Sequence, residues 1–341
     1  MAGADIAYMQ HALLLARTNL GQTWPNPTVG AVVVKNNSII GTGCTARGGR
    51  PHAETEALAQ AGNNAQGATL YVTLEPCSHH GKTPPCVDAI IAAGIIRCVI
   101  ACRDPHSNVN GTGIAKLKEA GIEMVENICM QDAREINRGF FSVVEKKRPY
   151  IALKIATSAD GKIAYPTGSE KKWITSDAAR NEVYRLRSEF DAVLTGIGTV
   201  LDDDPLLTVR LPGLGHRSPV RVVLDRNHRL PASSKLMRSK DTAPLWVLDS
   251  PSLESAVKEL TEKGITRLLV EAGQKLNTTF INSNLVDTLY WFKAPFPIGD
   301  AGLPAFADKK TFNLLEQWQK LDYIPFPPDQ LEVLGPCSPA S

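Results

Sequence analysis

Apolar and polar positions alternate in short blocks along this chain, and the blocks switch repeatedly between helical and extended periods. Ala7, His11, Leu14 and Leu15 sit at helical spacing, which predicts a helix over residues 5–19 ended by Gly21. Trp24-Pro25-Asn26-Pro27-Thr28 reads as a rigid loop, because two prolines fix φ and push the preceding residues to extended geometry. Residues 29–34 and 38–44 read as strands joined by a turn at Lys35-Asn36-Asn37. A helix over 52–61, a strand over 68–74, a helix over 86–93, a strand over 97–103, a helix over 113–120 and a strand over 122–125 follow. Lys146-Lys147-Arg148-Pro149 is short, basic and closed by proline, and reads as a linker.

The second half repeats the alternation. Strands are expected at 150–156, 191–195, 220–224, 245–248, 267–271 and 289–294. Helices are expected at 177–188, with Ser176 as N-cap, at 253–263 and at 276–281. The segment after Pro295 yields no assignment. Strands alternating with helices imply layered α/β units, in which ligands sit outside the C-terminal strand ends. Cys77 falls at such an end.

Composition fits two ordinary globular domains: 341 residues, 43% hydrophobic and 21% charged. Net charge is +2, and residues 1–149 carry 14 Lys+Arg against 12 Asp+Glu, so no nucleic-acid footprint is expected. The longest apolar runs, such as 89–96, are too short for a membrane span, and no signal peptide is evident. Seven irregularly spaced cysteines argue for reduced thiols in the cytoplasm rather than a disulfide framework.

The chemistry concentrates in a split stretch. Pro51-His52-Ala53-Glu54 is answered by Glu75-Pro76-Cys77 and Pro84-Pro85-Cys86. One imidazole and two thiols are a catalytic zinc set that leaves a position open for water, and Glu54 lies two residues from His52 to move the water's proton. His-x-Glu followed by Pro-Cys-x-x-Cys is the zinc deaminase pattern, but here eight residues separate the cysteines. The insert carries His79, His80, Lys82 and Thr83, which suit a phosphate or polar base. A structural zinc closed by His79 or His80, and buried thiols without metal, are the alternatives. In the second half, Gly196-Ile197-Gly198 after a strand is only a partial dinucleotide signature, since Leu201 stands at the third glycine. A Rossmann fold is not expected. The turn Glu271-Ala272-Gly273 opens a helix whose first amides could hold phosphate, but on spacing alone an ordinary strand-to-helix turn is the favoured reading.

These motifs resemble the bifunctional riboflavin-biosynthesis deaminase–reductase family. The match runs through Pro25-Asn26-Pro27-Thr28-Val29-Gly30, His52-Ala53-Glu54 and the whole of 73–86, including the long cysteine interval. It continues through Trp173-Ile174-Thr175-Ser176, Thr199-Val200-Leu201, Asp203-Asp204-Pro205, Leu207-Thr208-Val209-Arg210 and Val270-Glu271-Ala272-Gly273. The resemblance implies a cytidine-deaminase-like three-layer domain over 1–146 and a dihydrofolate-reductase-like domain over 150–335. It implies zinc-dependent deamination of a 2,5-diamino-6-ribosylamino-pyrimidinone 5′-phosphate, then NADPH-dependent reduction of ribosyl to ribityl. Carried over by position, His52, Cys77 and Cys86 would hold zinc and Glu54 would be catalytic. Asn26, His79, Lys82 and Thr83 would hold the first substrate. Ala156, Trp173, Thr199, Asp203, Gly273, Gln274, Lys275, Leu276, Asn277, Thr278 and Thr279 would contact NADPH. Lys154, Lys171, Arg187, Leu207, Arg210 and Glu271 would hold the second substrate, with Lys154 and Asp203 placed to polarise the sugar. His106 stands where the family more often has Asn. A homo-oligomer, dimer or tetramer, acting on small phosphorylated pyrimidines is expected. The competing expectation is a zinc nucleobase or nucleoside deaminase whose second half is a non-catalytic binding domain.

Overall fold

The computed structural model describes residues 2–81, 84–106 and 110–337. The chain forms two compact units, Met1–Arg148 and Pro149–Ser341. The first contains α1 (Ala2–Thr18), β1 (Gly30–Lys35), β2 (Ser38–Cys44), α2 (Ala53–Ala61), β3 (Thr69–Val72), α3 (Cys86–Ala92), β4 (Arg97–Ile100), α4 (Thr112–Glu119), β5 (Glu123–Val125), α5 (Met130–Ile136) and α6 (Arg138–Lys146). Its sheet runs in the order β2-β1-β3-β4-β5, antiparallel through β1 and parallel from β3 onward.

Glycines let the helices lie directly on this sheet. A Cβ at Gly30 would stand 1.9 Å from the Ala12 carbonyl oxygen of α1. Gly41 and Gly43 would place theirs 2.2 and 2.3 Å from the Ala57 and Ala53 carbonyl oxygens of α2. Gly30 pairs with Cys44, so Gly41 and Gly43 point to the opposite face. The helices therefore sandwich the sheet in three layers. Asp5 of α1 takes a two-pronged ion pair from Arg97 of β4, both bonds 2.9 Å, and a 2.7 Å bond from the Tyr71 hydroxyl of β3.

The second unit contains β6 (Tyr150–Thr157), β7 (Lys162–Ala164), α7 (Asp177–Ser188), β8 (Ala192–Gly196), α8 (Ile197–Asp203), β9 (Val220–Leu224), α9 (Lys235–Arg238), β10 (Leu245–Leu248), α10 (Leu253–Glu262), β11 (Arg267–Val270), α11 (Gln274–Asn282), β12 (Thr288–Lys293), β13 (Leu303–Pro304), α12 (Lys309–Leu315), β14 (Gln319–Phe326) and β15 (Asp329–Gly335). The large sheet runs β10-β9-β8-β11-β6-β12-β15-β14, with six parallel strands closed by an antiparallel hairpin. This is not the strand order of a Rossmann sheet. It is the dihydrofolate-reductase-like architecture expected from the resemblance. Ser176 caps α7 as expected, its hydroxyl accepting the Ala179 N–H.

The differences from the sequence reading are local. The strand expected over 97–103 ends at Ile100, and Cys102 is buried beyond it. α5 and α6 fall where no element was assigned. They are short, begin after a left-handed Cys129, and break at Asn137, so no apolar period runs long enough to register. Gly196-Ile197-Gly198 starts the seven-residue α8 rather than a phosphate loop. The chain after Pro295 supplies β13, α12 and the β14–β15 hairpin. No helix among the described residues is long and apolar enough to cross a membrane.

The close approach of α1 to β1 makes Gly30→Ala costly. Expected destabilisation is about 1–3 kcal/mol or more by urea denaturation, because backbone lies against the added methyl. Gly3→Ala, with open space around it, is the control and should be neutral within about 0.5 kcal/mol.

Candidate functional sites

In the first unit, β3 and β4 end at one edge of the sheet, and three segments converge there. His52 is the N-cap of α2, and Glu54 lies in that helix's first turn. Cys77 lies beyond the end of β3, and Cys86 begins α3 directly after Pro85. Proline preceding a helix restricts the entry geometry and so fixes where the Cys86 side chain starts. His52 Nδ1 is 3.3 Å from Cys86 Sγ and 3.7 Å from Cys77 Sγ, and the three ligand atoms lie within 4.8 Å of one another. A tetrahedral zinc with ordinary Zn–N and Zn–S bonds separates such atoms by about 3.5 Å, so the set fits the metal. Among the described residues no fourth ligand joins the group. His79 and His80 are exposed, and neither belongs to the group, which favours an open site over a closed structural one.

The electrostatics suit a cation. A hydrogen bond from Cys86 lowers the Cys77 thiol to about 4, against the opposing effect of burial, and His52 adds to the lowering. The shared bond with Cys77, and then burial, push the Cys86 thiol upward. The Cys86 backbone N–H also donates to Cys77 Sγ, 3.3 Å. Glu54 is 4% exposed, and burial holds its carboxyl above the usual carboxylate range. A carboxylate whose affinity for protons is raised in this way is a stronger base than a solvated one.

These groups face a cleft of about 360 Å³. Asn26 and His79, expected to hold substrate, are on its wall; Lys82 and Thr83 lie outside the described residues. Arg50 and Phe140, which the sequence reading did not single out, line it too, as do Asp104 and His106, the latter at the position where the family more often has Asn. The sequence reading also missed what Glu75 does. That buried carboxylate accepts the backbone N–H groups of Asp104 (3.3 Å), Gly111 (3.0 Å), Gly113 (3.0 Å) and Ile114 (3.3 Å).

In the second unit, Glu271 follows β11 and binds Arg187 of α7 through two bonds, 2.6 and 2.9 Å. Lys154 of β6 approaches the same carboxylate at 3.6 Å. Burial opposes ionisation of Glu271, but Arg187 and then Lys154 outweigh it and hold the carboxyl below its ordinary value. Burial lowers Lys154, and Glu271 only partly restores it. With all three ionised the cluster carries one excess positive charge, suited to an anionic ligand. Arg187 also donates to the Thr208 carbonyl, 3.0 Å, and the buried Arg221 to the Leu206 carbonyl, 3.3 Å. Between these anchors Leu207 is buried at φ +54°, a conformation costing a non-glycine residue about 1–3 kcal/mol. Arg210 lies over the Tyr184 ring, 5.5 Å from its centroid. Lys154, Arg187, Leu207, Arg210 and Glu271, expected to hold the second substrate, thus gather around one loop. Lys171 is exposed and, among the described residues, no contact joins it to them.

The expected cofactor residues divide. A Cβ on Gly273 would lie 3.3 Å from Thr199 Oγ1, so the turn after β11 meets α8. Leu276 and Thr279 line a cleft of about 370 Å³ at the C-terminal ends of β9 and β10. Asp225, Arg226, Arg229, Ser250 and Ser252 complete that cleft and were not foreseen. Asn277 and Thr278 are buried and bond backbone instead: Asn277 Nδ2 donates to the Ala305 carbonyl (3.4 Å), and the Ala307 N–H donates to Thr278 Oγ1 (2.9 Å). Gln274 Nε2 donates to the Phe306 carbonyl, 3.3 Å. Trp173 is 59% exposed, with Arg180 4.8 Å from its ring centroid. Ala156 lies on β6 and Asp203 at the end of α8, and Lys275 is exposed on α11.

Comparison with known proteins agrees with this geometry. The family described as the cytidine and deoxycytidylate deaminase zinc-binding region matches residues 3–102, and the RibD C-terminal domain matches 149–324. The riboflavin biosynthesis protein RibD of Aquifex aeolicus is 42% identical, over 92% of this chain and 96% of that one. The Escherichia coli protein of the same name is 39% identical, over 92% and 95%. A solved structure of Acinetobacter baumannii RibD covers 99% of this chain and 100% of its own, at 38% identity and a TM-score of 0.91. The Thermotoga maritima diaminohydroxyphosphoribosylaminopyrimidine deaminase/5-amino-6-(5-phosphoribosylamino)uracil reductase covers 98% and 99%, at 37% identity and 0.89. With a zinc-binding deaminase region followed by a reductase domain, the chain belongs to the RibD family of bifunctional riboflavin biosynthesis enzymes.

Proposed function

We propose that residues 1–146 deaminate a 2,5-diamino-6-(5-phosphoribosylamino)pyrimidin-4-one and that residues 150–335 reduce the ribosyl group of the deaminated product to ribityl. The observation carrying this reading is the open triad of His52, Cys77 and Cys86 beside a buried Glu54, in a chain whose second unit holds a separate cationic cluster.

His52, Cys77 and Cys86 would hold the zinc. Bound there, zinc supplies Lewis acidity that brings a water's pKa towards about 7. Glu54 takes a proton from the attacking water as the new C–O bond forms and delivers it to the ring nitrogen; it then carries the second water proton to the amino group, so that the C–N bond breaks, the C=O forms and ammonia departs. Asn26 and His79, on the cleft wall, would hold the ring and phosphate. Glu54→Gln should retain zinc and fold but lower the rate of ammonia release by about 100-fold or more. Unchanged turnover would remove Glu54 from the proton path.

In the second unit NADPH would supply a hydride to the sugar C1′. Lys154 is placed to polarise the sugar oxygen, and Arg187 and Arg210 to bind phosphate as guanidinium groups. Glu271 raises Lys154 against the lowering by burial, so Glu271→Gln removes the one influence raising that amine. The alkaline limb of NADPH oxidation should then move to lower pH. Stability should fall by about 3–5 kcal/mol as two buried cations lose their counter-charge. An alkaline limb that stays put would detach Lys154 from the reaction.

The cleft lined by Arg226, Arg229, Ser250 and Ser252 suits the adenosine 2′-phosphate that distinguishes NADPH from NADH. Arg226→Ala is expected to raise KM for NADPH about tenfold while leaving KM for NADH within about twofold. Equal effects on both would place the 2′-phosphate elsewhere. The near-neutral charge balance supports small phosphorylated pyrimidines rather than nucleic acid as ligands; a cytoplasmic homo-oligomer is part of this reading through the family resemblance alone.

A further inference from the structure

Residues 103–148 fall between the two matched stretches, yet they complete the first cleft: Asp104, His106 and Phe140 stand on its wall. The segment also reaches the opposite wall. Asn137, 3% exposed, sits at the break between α5 and α6. Its Oδ1 accepts the Thr28 N–H at 2.8 Å, and its Nδ2 donates to the Thr28 carbonyl at 2.9 Å. One side chain thus supplies both bonds that a neighbouring strand would give to that residue.

The loop is bonded at its two ends, where Thr23 Oγ1 donates to the Asn26 carbonyl (3.0 Å) and Val29 exchanges bonds with Thr45 (2.9 Å each), and Asn137 holds the stretch between them. Pro25 and Pro27 carry no N–H and cannot join a ladder. Thr28 Oγ1 is committed to the Ala16 carbonyl, 2.7 Å. Upstream, Asn26 Nδ2 donates to the Gly49 carbonyl, 3.1 Å. Gly49 has φ +84°, and a Cβ there would stand 1.9 Å from that same nitrogen. Arg50 and His52 follow at once. Asn137 and Thr28 do not line the cleft, whereas Asn26, Pro27 and Val29 do.

We propose that Asn137 is a positioning residue of the deaminase centre. Acting through Thr28, it sets the Asn26–Val29 wall against Asp104, His106 and Phe140, so the α5–α6 segment fits the zinc-binding region to its own substrate. This rests on the deaminase reading above. The zinc ligands lie on other segments, so loss of the clasp moves the wall and leaves the metal in place.

The test compares wild type, Asn137→Ala and Asn137→Asp for zinc per chain and for KM and kcat of ammonia release from the diamino-pyrimidinone nucleotide. Asn137→Ala should raise KM about tenfold, as expected for leaving a buried N–H and carbonyl unpaired, with kcat within about threefold and zinc unchanged. Asn137→Asp keeps the acceptor for the Thr28 N–H and should recover part of the loss. If Asn137→Ala fails to fold, Asn137→Asp decides, with a KM rise of about threefold or more expected. An unchanged KM, or a fall in kcat that tracks lost zinc, would overturn the proposal. A wild-type chain that releases no ammonia would instead defeat the deaminase reading itself.

Discussion

Glu75 is a buried carboxylate with no charged partner among the described residues, held by the backbone N–H groups of Asp104, Gly111, Gly113 and Ile114. Everything at the first site depends on this arrangement. Glu75 follows β3 and immediately precedes Pro76-Cys77, so the segment that delivers a metal ligand is tied to the segment that delivers Asp104 and His106. Gly113 lets the two come together, since a Cβ there would meet the Pro76 carbonyl oxygen at 2.2 Å. A buried carboxylate without such donors would be strongly disfavoured; here the amides of one loop satisfy it and are fixed in return.

The second unit solves a similar problem with ions. Glu271 is balanced by Arg187 and Lys154, and the remaining positive charge faces the loop carrying Leu207 and Arg210. The left-handed Leu207 is held between two arginine-to-carbonyl bonds, so the strain is borne by anchors buried beneath the loop. Both sites lie beyond the C-terminal ends of strands, where the layered α/β architecture leaves backbone ends and loops to build them.

The clustering of His52, Cys77 and Cys86, with Glu54 in the same helix turn, was legible because His-x-Glu with two proline-flanked cysteines is a chemically distinctive pattern. The layered folds were legible from alternating periods. Arg187 and Glu271 were accessible only through family resemblance, since 84 residues separate them and neither sits in a distinctive local pattern. Glu75 and Asn137 left no spacing signature, because their partners are backbone atoms and any sequence can supply those. Asn277 and Thr278 were assigned to the cofactor, yet their side chains tie α11 to residues 305–307, in a stretch whose pattern yielded no element. Arg226 and Arg229 sit on a loop after β9 whose relation to α10 and α11 appears only once the strands are ordered.

The most direct test of the two-site account follows ammonia and NADPH together in one zinc-loaded sample of the intact chain, supplied with the diamino-pyrimidinone nucleotide. Ammonia should appear with or without NADPH, and NADPH oxidation should follow it and reach about one equivalent per ammonia released. Ammonia release with no NADPH oxidation, or oxidation with no ammonia, would contradict it.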